Sequence, residues 1–186
     1  MKLILALMLM FACSAPADPA PEWAPSEPVM VSYELTPEAS LFGFSQRAVY
    51  RWNKARGCTE GSGCELVLGE DGIPVQYVDE ILMPDLDDKG EPMRASGSSQ
   101  PVAPGYPGCD WLYVHVSLET DNPERTIVHE LAHVLGLVRH THTGVTHDQP
   151  DLDHAGMIAI QAWSINADVL SAVCSKTVCL EFNPEP

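Results

Sequence analysis

His129-Glu130-Leu131-Ala132-His133-Val134-Leu135-Gly136 is the stretch of this 186-residue chain on which its fold turns. Just upstream, Asp121-Asn122-Pro123-Glu124 supplies a cap residue, a proline for the first helical position and an acid for the first turn, so a helix is expected to open there. Ile127, Val128, Leu131, Val134 and Leu135 recur at helical spacing and give it a core side, and Gly136 ends it. Histidines four residues apart then share one face, their β-carbons roughly 5–6 Å apart, so both imidazoles can reach one cation. Glu130 is turned by about 100° from His129, near enough to contact a water on that cation without displacing it. Zinc would lower the pKa of such a water toward ~7, and Glu130 would take its proton as it attacks a carbonyl. A random chain of this composition carries the pattern about 2 % of the time, and the helical setting lowers that further. The plainer alternative is two histidines on a solvated helix face.

Outward from this helix, the clearest strand is Asp110–Leu118, where Leu112, Val114, Val116 and Leu118 alternate with Trp111, Tyr113, His115 and Ser117. His115 reads as a tolerated strand histidine. Shorter strands are expected at Val29–Leu35, Glu65–Leu68 and Pro74–Glu80. Thr36-Pro37-Glu38 reads as the start of a first helix that carries Leu41, Phe44, Ala48, Trp52 and Ala55 inward and ends at Gly57. Arg47, Arg51 and Lys54 would form its solvated face. Gly90–Gly108 is rich in Gly, Pro and Ser and reads as a long loop, and Asp85–Gly90 as a solvated turn. A last short helix is expected from Asn166, through Val169, Leu170 and Val173.

The N-terminus carries a targeting signal. Lys2 precedes an apolar run from Leu3 to Ala12, too short to span a bilayer and of the right size for a secretory segment. Met10-Phe11-Ala12-Cys13 resembles a bacterial lipobox, which implies a lipidated Cys13 at the mature N-terminus; ordinary cleavage after Ala15 is the alternative. Residues 1–12 are thus a signal peptide, 13–28 a Pro/Ala-rich tether, and 29–186 one domain. Five cysteines remain in an oxidising compartment, with Cys58–Cys64 and Cys174–Cys179 the economical pairs and Cys109 left over. With 26 acidic against 10 basic residues the formal net charge is −16. Phosphates would be repelled, so nucleic acid is excluded as a partner, and a membrane is met only through the lipid. A monomer is expected.

On His129, Glu130, His133 and Gly136 the chain resembles the metzincins, zinc endopeptidases with the signature HExxHxxGxxH (or Asp last) and a later methionine turn. The resemblance implies an α+β fold: a small mixed twisted sheet with a long N-terminal helix, an active-site helix and a C-terminal helix. It also implies Zn2+ as cofactor, a protein or peptide substrate, and Glu130 as general base. The family's third-ligand position falls on Arg139, a guanidinium that stays protonated and ligates poorly. His140, one residue on, is taken as the third ligand, with His142, His147, Asp148, Asp151 and Asp153 as alternatives. Met157 is the candidate for the methionine turn, against a packed core methionine. The family's substrate-lining edge strand would fall in 90–108, where only loop is read. The expectation is an exported zinc-dependent endopeptidase; a non-catalytic zinc- or peptide-binding lipoprotein of the same fold is the second reading.

Overall fold

The computed structural model describes residues 27–86, 90–102, 110–137, 140–141, 144–145 and 164–186. Cys13, Cys109, Arg139, His142, His147, Asp148, Asp151, Asp153 and Met157 lie outside them.

A five-stranded mixed sheet organises the domain, with β1 (Tyr33–Pro37), β2 (Leu66–Leu68), β3 (Ile73–Val78), β6 (Gly97–Pro101) and β7 (Trp111–Ser117) in the order β2-β1-β3-β7-β6. The first four in that order run parallel, and β6 lies antiparallel to β7 at the edge. A separate hairpin pairs β4 (Leu82–Leu86) with β5 (Pro92–Arg94). Helix α1 (Phe42–Arg56) crosses between β1 and β2; α2 (Pro123–Val134) follows β7, and α3 (Ala167–Cys174) comes last. The architecture is therefore mixed helix and sheet, compatible with the expected α+β class.

Burial explains the assembly. Leu35, Ile73, Val75, Val114 and Val116 of the sheet meet Ala48, Trp52 and Ala55 of α1 and Ile127, Val128 and Leu131 of α2 in one core. The indole N–H of Trp52 reaches the Val128 carbonyl at 2.9 Å, so a bulky core side chain also satisfies its polar atom on the neighbouring helix. Of the expected apolar row only Val114 and Val116 are buried; Leu112 and Leu118 are exposed. His115 stacks on Tyr113 and meets the Gln76 amide at 2.9 Å. Both expected disulfides form, Cys58–Cys64 and Cys174–Cys179. Buried Arg56 ties the two loops together, donating to Cys64 O at 2.8 Å and Val178 O at 2.9 Å.

Four expectations are corrected. Val29 does not open β1; it makes an isolated parallel bridge to Thr177, and the strand begins at Tyr33. Thr36-Pro37-Glu38 does not start α1. Thr36 and Pro37 register on Pro74 and Val75, Thr36 Oγ1 accepts the Gly72 N–H, and the helix begins at Phe42 with no side-chain cap. Proline's fixed φ suits a strand end as well as a first helical turn, and sheet register decides between them. Gly90–Gly108 is not one loop, since it contains β5 and the edge strand β6. Nor is the Arg47–Lys54 side simply solvated. Arg51 is held by Glu185 at 2.7 Å and also faces Glu124, which Arg47 pairs as well. Among the described residues no helix is long and apolar enough to cross a membrane.

Candidate metal centre

Helix α2 is built as its sequence dictates. The Asn122 side chain accepts the Arg125 N–H at 2.9 Å, Pro123 follows, and Glu124 lies in the first turn. At the other end Gly136 adopts φ 97°. Its N–H bonds His133 O at 2.8 Å, and the Leu137 N–H bonds Ala132 O at 3.0 Å. This pair of bonds is the Schellman closure, which needs a left-handed residue at the glycine position. The turn also aims a carbonyl, because Leu137 O accepts the His133 Nδ1–H at 2.7 Å. Val145 O accepts the Nδ1–H of His129 at 2.9 Å, and Val145 is itself fixed by its N–H to Ser164 O.

With Nδ1 protonated and held by a carbonyl, each of these two rings presents a bare lone pair at Nε2. The two Nε2 atoms stand 3.3 Å apart, and His140 brings its own Nε2 to 3.1 Å from His129 and 3.2 Å from His133. Lone pairs of His129 and His133 facing each other at this distance repel unless something positive lies between them. Nitrogens sharing one tetrahedral ion at bonds of ~2.0–2.1 Å stand about 3.3 Å apart, so the triangle fits three vertices of such a site and leaves the fourth open. Carbonyl-oriented imidazoles are also the usual outer support of a metal ligand. Three imidazoles suit zinc, copper, iron or nickel alike. Burial, the neighbouring histidines and the Arg125 charge push the His129 pKa down to about 3 against the pull of Val145 O, and burial lowers that of His133. Both rings are neutral, the ligating form, at pH 7.

Glu130 packs under β6. It is 5 % exposed, and the Ser99 hydroxyl donates to its Oε2 at 2.9 Å. Burial pushes its pKa up to about 7, and the Ser99 bond works against that rise. Gly97 makes the close approach feasible, since a β-carbon there would stand 2.4 Å from Thr126 Cγ2 and 2.8 Å from Glu130 Oε1. Glu130 and the three histidines line one cleft of about 790 Å3, walled by Gly97–Ser99 and Pro101 of β6, Trp111 and the first turn of α2.

His129, Glu130, His133 and His140 are thus brought together, while Met157 and Cys13 fall outside the described residues. Gly97, Ser99, Trp111 and Arg125 were not singled out from sequence. Arg125 alone had a signal, standing four residues before His129 on the same helix face. Comparison with known protein families and with curated proteins returns no match to this chain.

Proposed function

We propose that this chain is an exported zinc-dependent endopeptidase of metzincin type, with His129, His133 and His140 holding the metal and Glu130 as general base. The single observation that carries the proposal is the pairing of an open, three-nitrogen triangle with a buried carboxylate from the same helix, both lining one cleft. A purely structural metal has no use for that carboxylate. The mixed sheet with its antiparallel edge strand and, among the described residues, three helices supports the family reading by element order.

Zinc, when bound, would polarise a substrate carbonyl and acidify a water. Glu130 would take that water's proton and later deliver it to the leaving amine; a carboxylate with pKa about 7 can do both near neutral pH. Ser99 holds Oε2 and so orients the carboxylate. The outer edge of β6, without a strand partner among the described residues, would take an extended peptide by backbone hydrogen bonds. A lipid on Cys13 would tether the enzyme to a membrane surface.

The test is cleavage of a denatured protein with and without chelator. Cleavage should stop on chelation and return with zinc. Glu130→Ala should keep one equivalent of metal yet lose about 10²-fold or more in rate. If the parent binds zinc but cleaves nothing, the non-catalytic binding lipoprotein replaces this reading; if the variant cleaves normally, the Glu130 mechanism is wrong.

A further inference from the structure

Arg125 lines the same cleft but has no part in the proton chemistry proposed above. It is the third residue of α2, one turn before His129 and on the same face. Its guanidinium is half-buried and is paired with no carboxylate among the described residues. The other arginine of the cleft, Arg94, bonds Glu119 at 2.9 Å and Glu80 at 3.0 Å. Arg47 and Arg51 share Glu124 and Glu185. In a chain with 26 acidic residues, leaving a partly desolvated guanidinium beside a cation-binding triangle is unfavourable unless an anion arrives. Asp121, at the rim, is exposed and does not close on it. A second donor points the same way. The Trp111 Nε1–H, on the wall of this cleft, is buried and finds no acceptor among the described residues. Two unmet donors in one cleft ask for ligand oxygens, and the planar fork of arginine matches a carboxylate.

We infer that Arg125 is a specificity-determining residue that binds a carboxylate of the peptide, so that the cleft selects substrates carrying an acidic side chain or a free C-terminal carboxylate beside the scissile bond. The inference rests on the peptide-cleaving reading of the site. Charge-assisted hydrogen bonds of this kind are worth ~1.5–3 kcal/mol, or about 10- to 100-fold in affinity.

Binding without turnover tests it. The full chain carrying Glu130→Gln, loaded with zinc, is titrated into fluorescently labelled peptides followed by anisotropy. One set is neutral and C-terminally amidated, a second has a glutamate stepped through the same positions, each with its glutamine control, and a third is neutral with a free C-terminus. At least one carboxylate peptide should bind about tenfold or more tighter than its amide counterpart; which set shows the preference identifies the source of the carboxylate. Adding Arg125→Gln should bring that ratio near one, and Arg125→Lys should keep part of it. One bound zinc per chain shows that each variant is folded. A parent that binds none of the peptides, or binds carboxylate and amide forms alike, overturns the inference. So does a preference that survives Arg125→Gln. If the selective binding appears but Glu130-intact protein cleaves nothing, the peptidase reading falls and the carboxylate site stands.

Discussion

Gly97→Ala probes the contact on which the cleft depends, and its cost can be worked from distances. The backbone of Gly97 lies outside the left-handed region, so alanine fits the dihedral angles and even gains about 0.5–1 kcal/mol over glycine in a strand. Space is the obstacle. The new methyl carbon would stand 2.4 Å from Thr126 Cγ2, 2.8 Å from Glu130 Oε1 and 3.0 Å from Glu130 Cγ. Ordinary carbon contacts are about 3.5–4.0 Å, so β6 and α2 must part by roughly 1 Å. The Ser99–Glu130 hydrogen bond, now 2.9 Å, would then pass beyond bonding range. Overpacking of this kind costs ~1–3 kcal/mol, leaving a net loss of about 1 kcal/mol at mid-range after the backbone gain. A carboxylate base displaced by about 1 Å should lose roughly 10²-fold in rate. Urea unfolding should show a lower midpoint with unchanged slope, metal content should stay at one equivalent, and chelator-sensitive cleavage should fall. Thr126→Ser removes the offending methyl but keeps the hydroxyl that bonds Asn122 O and Thr120 Oγ1. Combined with Gly97→Ala it should recover at least ~0.5 kcal/mol beyond additivity. An alanine variant as stable and active as the parent, or a double mutant that is merely additive, would refute this account of how helix and edge strand meet.

Two further outcomes are expected. His140→Ala should weaken zinc binding more than about 100-fold, since even the groups that only orient a ligand cost 10- to 100-fold when lost; a chelator-competition titration reads this directly, and unchanged affinity would show that another side chain completes the triangle. The Glu185 clamp should make stability fall with acid. Burial raises its pKa, but the Arg51 hydrogen bond, the Ile165 N–H and the Arg51 and Lys54 charges outweigh that and hold it below the ordinary carboxylate value. A depressed folded-state pKa means the contribution is fully present above the unfolded value of ~4.3 and is lost as pH drops through the folded one. The stability gap between parent and Glu185→Gln, about 1 kcal/mol at pH 6 for this partly exposed pair, should shrink steadily in urea titrations as the pH falls below ~4.3; a gap independent of pH would mean the clamp acts by shape rather than charge.

What could be read from sequence was what the chain decides locally. The Asn122 cap, Pro123, the apolar spacing and Gly136 all act within a few residues of one another, and α2 forms as they predict. His140 is the histidine nearest the third-ligand position that the metzincin resemblance implies and needs the smallest change in the turn after Gly136, and its Nε2 meets the other two. Both disulfides close loops short enough to be expected. The misses are all long-range. Gly97-Ser98-Ser99-Gln100-Pro101 has almost no intrinsic strand preference and becomes β6 only because β7 offers it a partner. Ser99 then reaches a carboxylate 31 positions away, and Arg51 one 134 positions away; no local pattern signals either. Pro37 was ambiguous by itself, and the register of β1 on β3 settled it.

The same edge strand also bears on whether copies of the chain stick to one another. Any sheet edge ready to receive a peptide is equally ready to receive its own twin. Here the invitation is blunted by the strand's own chemistry. β6 is five residues long, its side chains are small or polar, its pairing with β7 slips between Gln100 and Pro101, and Pro101 has no N–H to give. A second β6 laid against it would gain few bonds and bury almost no hydrocarbon, while two chains of net charge −16 repel. An incoming peptide with larger apolar side chains would have no such handicap, so under the proposed function a drab, proline-ended strand would discriminate between guest and self without any residue dedicated to the task.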